Sequence, residues 1–406
     1  MTGGCSVAHV TTVGDALEFL LKNQLGAIAR AGFDVAGVSA PGPVDASLRA
    51  IGVRHIAAPF VRATSLTPWS DLRLCAELVR MFRRERFAIV HTHTAKADLY
   101  AAMAARAAGV PFVVTTLHGF YFHDLMPPRT RRFYVALARL GMSCCDVVLS
   151  QNPEDVETAL RERICTASKI ELLGNGIDVV RFDRSRLDPA EIRRRRAELG
   201  IADGVPVIGF VGRLVAEKGV FELLAAAAIV RARFPTARLL VVGGVDRAKR
   251  DAIHPEAAAR YGIADMCVFA GHRNDLPELY ASMDVFALPS HREGFPRTPM
   301  EASAMGIPVV ATNIRGCRSV VDDGRTGLLV PLNEPAGLAA AIIALLADST
   351  RARSMASEGR RTALERFDER RVFAKVLETY QRLLDSSSRP SDSQRRTAVA
   401  LRSRSW

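Results

Sequence analysis

Short apolar runs rich in Val, Ile, Leu and Ala alternate with helical patterns along the whole chain, and nothing else in the sequence constrains the fold as tightly. In the first half the runs cover residues 7–12, 34–39, 88–91, 112–116, 146–150 and 170–173. In the second half they cover 206–211, 238–242, 267–270, 284–288, 308–311 and 327–330. Helical stretches of about ten residues or more separate many of them. A strand buried on both faces reads as a continuous apolar run, and two parallel strands need a crossover long enough for a helix. The pattern predicts βαβ units and parallel sheets. Two such series in 406 residues predict two doubly wound α/β domains, since single cores stop growing well before that length.

The join lies between Asn175 and Pro206, where the chain turns to GNGID and then to the charged AEIRRRRAELG. The Arg193–Arg196 run reads as a solvated helix face. The predicted organisation is a first domain over 1–176, a second over 177–365, a helix over 366–385 crossing back to the first, and a disordered basic tail over 386–406. That tail is low in apolar residues.

Hydrophobic residues make up 49% of the chain and charged ones 24%, values of a globular protein. No apolar run approaches the roughly 18 residues that span a bilayer, and the start lacks the basic and apolar regions of a secretory signal. Seven cysteines, odd in number and without a C-x-x-C pair, predict reduced thiols in a cytoplasmic protein, with neither zinc nor disulfides. The net charge is +12, part of it in the tail from Arg389, which holds five Arg and one Asp. A basic balance suits nucleic acid, anionic lipid or phosphorylated small molecules. Aromatics at 6% and no RNA-binding motif count against a nucleic-acid-associated protein, which stays the alternative of a different class. Arg80, Arg83, Arg84 and Arg86 cluster on one helical stretch, and Arg129, Arg131 and Arg132 precede another. They read either as exposed arginines or as a face for an anionic membrane.

Two stretches could carry chemistry. In HREGFPRTPMEASAMGIPVVAT, residues 291–312, the order Thr298-Pro299-Met300-Glu301 predicts a capping box with Thr298 at the N-cap, and Gly306 predicts the helix stop. Glu301 therefore has a structural task at hand. Glu293 has none: it lies in a loop leaving the carboxyl end of a strand, where open α/β sheets bind ligands. In VIGFVGRLVAEKGVFELL, Arg213 and Lys218 flank a short turn into a helix whose N-terminus favours anions. That spacing fits a diphosphate clamp, and equally a salt bridge of Lys218 to Glu217 or Glu222.

Other chemistries lack their residues. There is no G-x-G-x-x-G after a strand for NAD, no P-loop, and no D-x-D pair to chelate a metal–nucleotide. His91 and His93 fall on one face of a strand with no third ligand nearby in the text, and read as strand-end histidines. His118 follows a strand and precedes a Gly; alone, it reads as a packed or hydrogen-bonded histidine.

Taken together, Gly212-Arg213-Leu214, Glu217-Lys218-Gly219, Glu293-Gly294-Phe295-Pro296 and Glu301-Ala302 resemble glycosyltransferase family 4, including its E-x7-E element. Asn175-Gly176-Ile177-Asp178, Asp323-Gly324 and Gly327-Leu328-Leu329-Val330 are similar too. So are His9-Val10-Thr11-Thr12, His91-Thr92-His93 and His118-Gly119-Phe120, which resemble the branch building bacterial capsule and exopolysaccharide. The resemblance spans about residues 7 to 385. It implies a GT-B fold, two Rossmann-like domains facing a central cleft, the first binding acceptor and the second nucleotide-sugar. It implies transfer with retention at the anomeric carbon, with no metal or other cofactor, from a nucleotide-sugar, most simply a UDP-sugar. The acceptor would be a glycan or a polyprenyl-diphosphate-linked glycan at the inner face of the plasma membrane.

Roles carry over by position. Arg213 and Lys218 would hold the leaving diphosphate beside Gly212. Glu293 would accept hydrogen bonds from the donor sugar, with the amides from Gly294 through Phe295 and Pro296 to Arg297 supporting sugar and phosphate. Glu301 would bind ribose, with capping secondary, and His118 would face the sugar from the first domain. Relatives often have two glycines where this chain has Gly14 alone, which weakens the phosphate contact that Gly14 would make. A same-fold epimerase acting on UDP-N-acetylglucosamine remains an alternative, against which the E-x7-E pair and the Arg/Lys turn argue.

Overall fold

In a computed structural model, residues 4–61, 68–123, 126–246, 249 and 251–388 are described. The basic tail beyond Ser388 and residues 62–67 lie outside them. The described residues fall into two units: those within 4–150, Val156–Leu173 and 372–388 form one, and those within Gln151–Asp155 and Gly174–Arg371 form the other.

The first unit is built on a parallel sheet of strands β1 (Ser6–Val10), β2 (Asp34–Ser39), β3 (Arg54–Ala57), β4 (Ile89–Thr92), β5 (Phe112–Leu117), β6 (Val147–Ser150) and β7 (Ile170–Leu172). Their order is β3-β2-β1-β4-β5-β6-β7. Side chains alternate between faces, so Val7, Val35, Ile89 and Val114 pack on one side, while Ala8, Val10, Val38 and Val90 pack on the other. Both faces are dry, which is why these strands read as unbroken apolar runs. The helix Glu369–Ser388 covers the first face with Val372, Val376 and Tyr380. Strand β3 was not predicted. It is an edge strand with sequence RHIA and no fully buried residue, so it lacks the apolar run that marks the others.

The second unit holds β8 (Val207–Val211), β9 (Arg238–Val242), β10 (Cys267–Gly271), β11 (Val285–Leu288), β12 (Val309–Thr312) and β13 (Gly327–Val330), in the order β10-β9-β8-β11-β12-β13, again all parallel. Its core is one cluster around Phe210, Leu240, Phe286 and Val310. Both sheets reverse their strand order once, between β1 and β4 in the first unit and between β8 and β11 in the second. In doubly wound sheets the loops at the carboxyl ends of strands flanking such a reversal form the ligand crevice. No helix among the described residues is long and apolar enough to cross a membrane.

Candidate active site

The reversal in the second unit lies where the two suspected stretches meet. Strand β8 ends at Val211, and Gly212 and Arg213 follow it. A single 3-10 turn over Ala216–Lys218 then leads through Gly219 into the helix Val220–Arg233. Gly219 has φ +70°, and a Cβ there would sit 1.9 Å from the carbonyl oxygen of Pro289, so only glycine lets this turn lie against the end of β11. That close approach brings Lys218 to Glu293, with Nζ 2.5 Å from Oε1. The Ser290 hydroxyl donates to the same oxygen at 2.7 Å. The Lys218 and Glu293 side chains keep only 22% and 10% of their exposure. A charge pair so placed is screened far less than one in open solvent.

The salt bridges weighed for Lys218 are not the ones formed: Glu217 pairs with Arg292 at 2.7 Å and Glu222 with His291 at 2.9 Å. Arg213 leans the other way, its guanidinium 3.0 Å from Asp246 in the loop after β9. The two cations thus meet carboxylates carried by the opposite neighbours of β8.

Beyond Glu293 the chain is held by its carbonyls. The Asn152 side chain donates to the Gly294 carbonyl at 2.8 Å, and the Asn175 side chain to that of Phe295 at 2.9 Å. Phe295 rests edge-on against Phe367, and Pro296 is buried. A Cβ on Gly316 would come within 2.7 Å of the Glu293 carbonyl oxygen, so the neighbouring segment also demands glycine. With their carbonyls engaged, the Gly294 and Phe295 amides donate to no group among the described residues. They lie just ahead of the helix Arg297–Ala304, and free N–H groups at such a place attract anionic oxygens. Ser290, Asn152 and Asn175 had not been expected to support this loop. Asn175 stood in a motif of the family resemblance without a role attached, polar type was the only signal for Ser290 and Asn152, and the partners lie up to 142 residues away.

The predicted capping box does not form. The helix begins at Arg297, with Pro296 at the N-cap and no side-chain cap, because the extended Pro296 backbone (φ −70°, ψ 133°) hands directly into the first turn. Thr298 is inside the helix, and its carbonyl accepts from the Tyr280 hydroxyl. Glu301 is 8% exposed, and its Oε2 accepts from the same hydroxyl at 2.9 Å. Burial raises the Glu301 carboxyl above the ordinary glutamate range, and the Arg297 guanidinium and Tyr280 hydroxyl offset part of that rise. Gly306 does end the helix, at φ +70°. Arg297 lies 3.6 Å from Glu369.

In the first unit Gly14 opens a helical turn after β1, its Cα facing Val44. His118 is half-buried just past β5. The reading of His91 and His93 as lacking a third partner is overturned. His9 on β1 is in register with His91 on β4, and the ring nitrogens of His9, His91 and His93 lie within 4.8 Å of one another. Parallel pairing of strands some 80 residues apart makes this contact, which linear distance conceals.

This geometry can now be set beside known proteins. Residues 21–176 match the family described as glycosyl transferase 4-like domain, and residues 191–362 match glycosyl transferases group 1. The chain is 25% identical over 382 residues to the capsular polysaccharide biosynthesis glycosyltransferase CapM of Staphylococcus aureus, covering 94% of this chain and 98% of that one. It is 30% identical to the D-inositol 3-phosphate glycosyltransferase of Rhodococcus jostii, covering 87% of this chain and 81% of the other. Anabaena HepE, solved with UDP and glucose, has the same fold, with a TM-score of 0.79 at 24% identity over 93% of this chain and 99% of the other. A paired Arg/Lys turn and a glutamate loop at the sheet's reversal point, on two Rossmann-like units that both match these families, place the chain among the family 4 glycosyltransferases of GT-B fold.

Proposed function

We propose that this enzyme moves a sugar from a UDP-sugar to a glycan or polyprenyl-diphosphate-linked acceptor in cell-surface polysaccharide synthesis, with retention and without a metal ion. The observation that carries the reading is the Lys218–Glu293 pair beside the unengaged amides of Gly294 and Phe295. A sugar diphosphate needs neutralising cations, N–H donors for its oxygens and a carboxylate for sugar hydroxyls, and this loop set offers all three.

In this reading Lys218 and Arg213 stabilise the charge that builds on the diphosphate as the glycosidic bond breaks, the task a metal performs elsewhere. Glu293, fixed by Ser290 and Lys218 through one oxygen, turns its second oxygen to the sugar. Glu301 accepts from the ribose, and its burial strengthens such bonds. His118 keeps the sugar contact that the resemblance gives it, and Gly14 a contact to the donor phosphate. The likeness to a protein named for capsule synthesis supports the acceptor class, and the HepE complex supports the donor class.

A thermal-shift screen of UDP-, GDP- and ADP-sugars in excess EDTA tests the donor and the absence of metal together. A UDP-sugar at about 100 times its dissociation constant should stabilise by roughly 2.7 kcal/mol. Transfer assayed in the same buffer should give product with the anomeric configuration of the donor. Stabilisation by GDP- or ADP-sugars alone, a rate abolished by EDTA and restored by Mg²⁺, or an inverted product would each refute the corresponding part.

A further inference from the structure

Glu301 is buried, but its two carboxylate oxygens are not alike. Oε2 accepts from the Tyr280 hydroxyl at 2.9 Å. Oε1 has no hydrogen-bond partner among the described residues, yet it is not sealed inside the core. One oxygen is thus engaged from within the protein, and the other is left for a donor from outside.

Tyr280 comes from a separate element of the same unit. It lies near the end of the helix Leu276–Ala281, with none of its surface exposed. Phe182 meets its ring edge-on with centroids 5.8 Å apart, and Phe286 packs against it at a tilt of 51°. Packed on both sides, the ring holds its hydroxyl between two acceptors, Glu301 Oε2 at 2.9 Å and the Thr298 carbonyl at 3.2 Å. A phenol has one hydrogen to give. The Thr298 carbonyl lies inside the helix Arg297–Ala304, where the amide four residues on can also satisfy it. The hydrogen therefore serves chiefly the carboxylate, the shorter and charge-assisted contact.

The carboxylate depends on that hydrogen. Burial is the largest influence on Glu301 and disfavours its charged form. Three groups oppose burial: Arg297 on the same helix, Tyr280, and Arg181 from the segment between β7 and β8. Of the three, Tyr280 alone donates a hydrogen bond to it among the described residues. The two arginines act through charge.

We infer that Tyr280 is a positioning residue for nucleotide binding: it fixes Oε2 of Glu301 and thereby presents Oε1 to the ribose hydroxyls. It acts through Glu301 and needs no contact with the nucleotide. This rests on the ribose contact proposed above for Glu301. Without the phenol hydrogen the carboxylate must turn Oε2 elsewhere or take up a proton, and either change deprives the ribose of a fixed, charged acceptor.

The test is calorimetric titration of wild type, Tyr280→Phe, Glu301→Gln and the double variant with UDP and with 2′,3′-dideoxy-UDP, which lacks both ribose hydroxyls. Phe keeps the ring that packs on Phe182 and Phe286. Tyr280→Phe should weaken UDP roughly tenfold and leave the dideoxy nucleotide within about twofold. Made in the Glu301→Gln background, the same change should weaken UDP little, because the charge it acts through is gone. As pH falls, Tyr280→Phe should lose UDP affinity at a higher pH than the wild type, since removing a donor to the charged form raises the Glu301 carboxyl further. The nucleotide's own phosphate titrates alike with both proteins. If Tyr280→Phe does not fold, protein grown with 3-fluorotyrosine replaces it. The stronger phenol donor should move the acid loss of UDP affinity to lower pH, and should not do so in Glu301→Gln. A loss in Glu301→Gln without one in Tyr280→Phe overturns the proposal alone. So do equal losses of UDP and dideoxy-UDP in Tyr280→Phe, or an acid limb that neither change moves. An undiminished preference for UDP over dideoxy-UDP in Glu301→Gln overturns the ribose contact, and this proposal with it.

Discussion

Replacing Glu301 with Gln should make the empty protein no less stable while weakening its hold on nucleotide. The Gln carbonyl can accept from the Tyr280 hydroxyl as Oε2 does, and the volume is conserved, so the packing around the side chain survives. What disappears is a buried charge. Folding raises the Glu301 pKa, so the stability this group contributes is greatest below the ordinary carboxylate range and is lost as pH rises through the raised value. The Gln variant escapes that loss. Its melting temperature should match or exceed the wild type at neutral pH by about 2–4 °C per kcal/mol recovered, and the gap should close as pH falls. Affinity should move oppositely. A hydrogen bond to a charged group contributes about 1.5–3 kcal/mol against about 0.5–1.5 for a neutral one, so ribose binding should weaken by about 1–2 kcal/mol, roughly 5- to 30-fold in Kd. Calorimetric titration of UDP beside melting curves at several pH values reads both quantities. A lowered melting temperature with unchanged UDP affinity would refute the reasoning and return Glu301 to a purely structural role.

Glu293→Gln should leave the melting temperature unchanged, because the Lys218 and Ser290 hydrogen bonds both land on Oε1 and a Gln carbonyl can take that place. Its damage should fall on the rate of sugar transfer more than on UDP affinity, and a fully active variant would remove this loop from the active site. A membrane experiment concerns the helix Pro68–Glu85, where Arg80, Arg83 and Arg84 are exposed, Arg86 follows, and Trp69 is 85% exposed. Each cation near an anionic surface contributes about 1 kcal/mol, so protein ending at Ser388 should bind anionic vesicles in a salt-sensitive way and lose that on changing the four arginines to Gln. No binding at low salt would make this a solvated face.

Much of the fold was legible because buried parallel strands announce themselves as apolar runs; β2, β9 and β13 lie where the pattern placed them. The edge strand β3 had no such run, because its side chains are not enclosed. At the site, residue types were legible and pairings were not. Lys218 sits beside two glutamates in sequence, yet the strand order sets β11 next to β8 and gives it Glu293. The capping box had the right letters, but Pro296 starts the helix early and Tyr280, from another element, claims Glu301. His9 and Tyr380 reach the His91–His93 pair only through sheet register and a helix from the far end of the chain. Local chemistry is written locally, and its partners are written in topology.

The central claim is that the turn after β8 and the loop after β11 together bind and activate a nucleotide-sugar. The most direct measurement is the initial rate of sugar transfer by Arg213→Ala and Lys218→Ala, each checked for an unchanged melting temperature. Losing one charged donor to a developing oxyanion should lower the rate on the order of 10²-fold or more in each. Rates near that of the wild type in both folded variants would contradict the account.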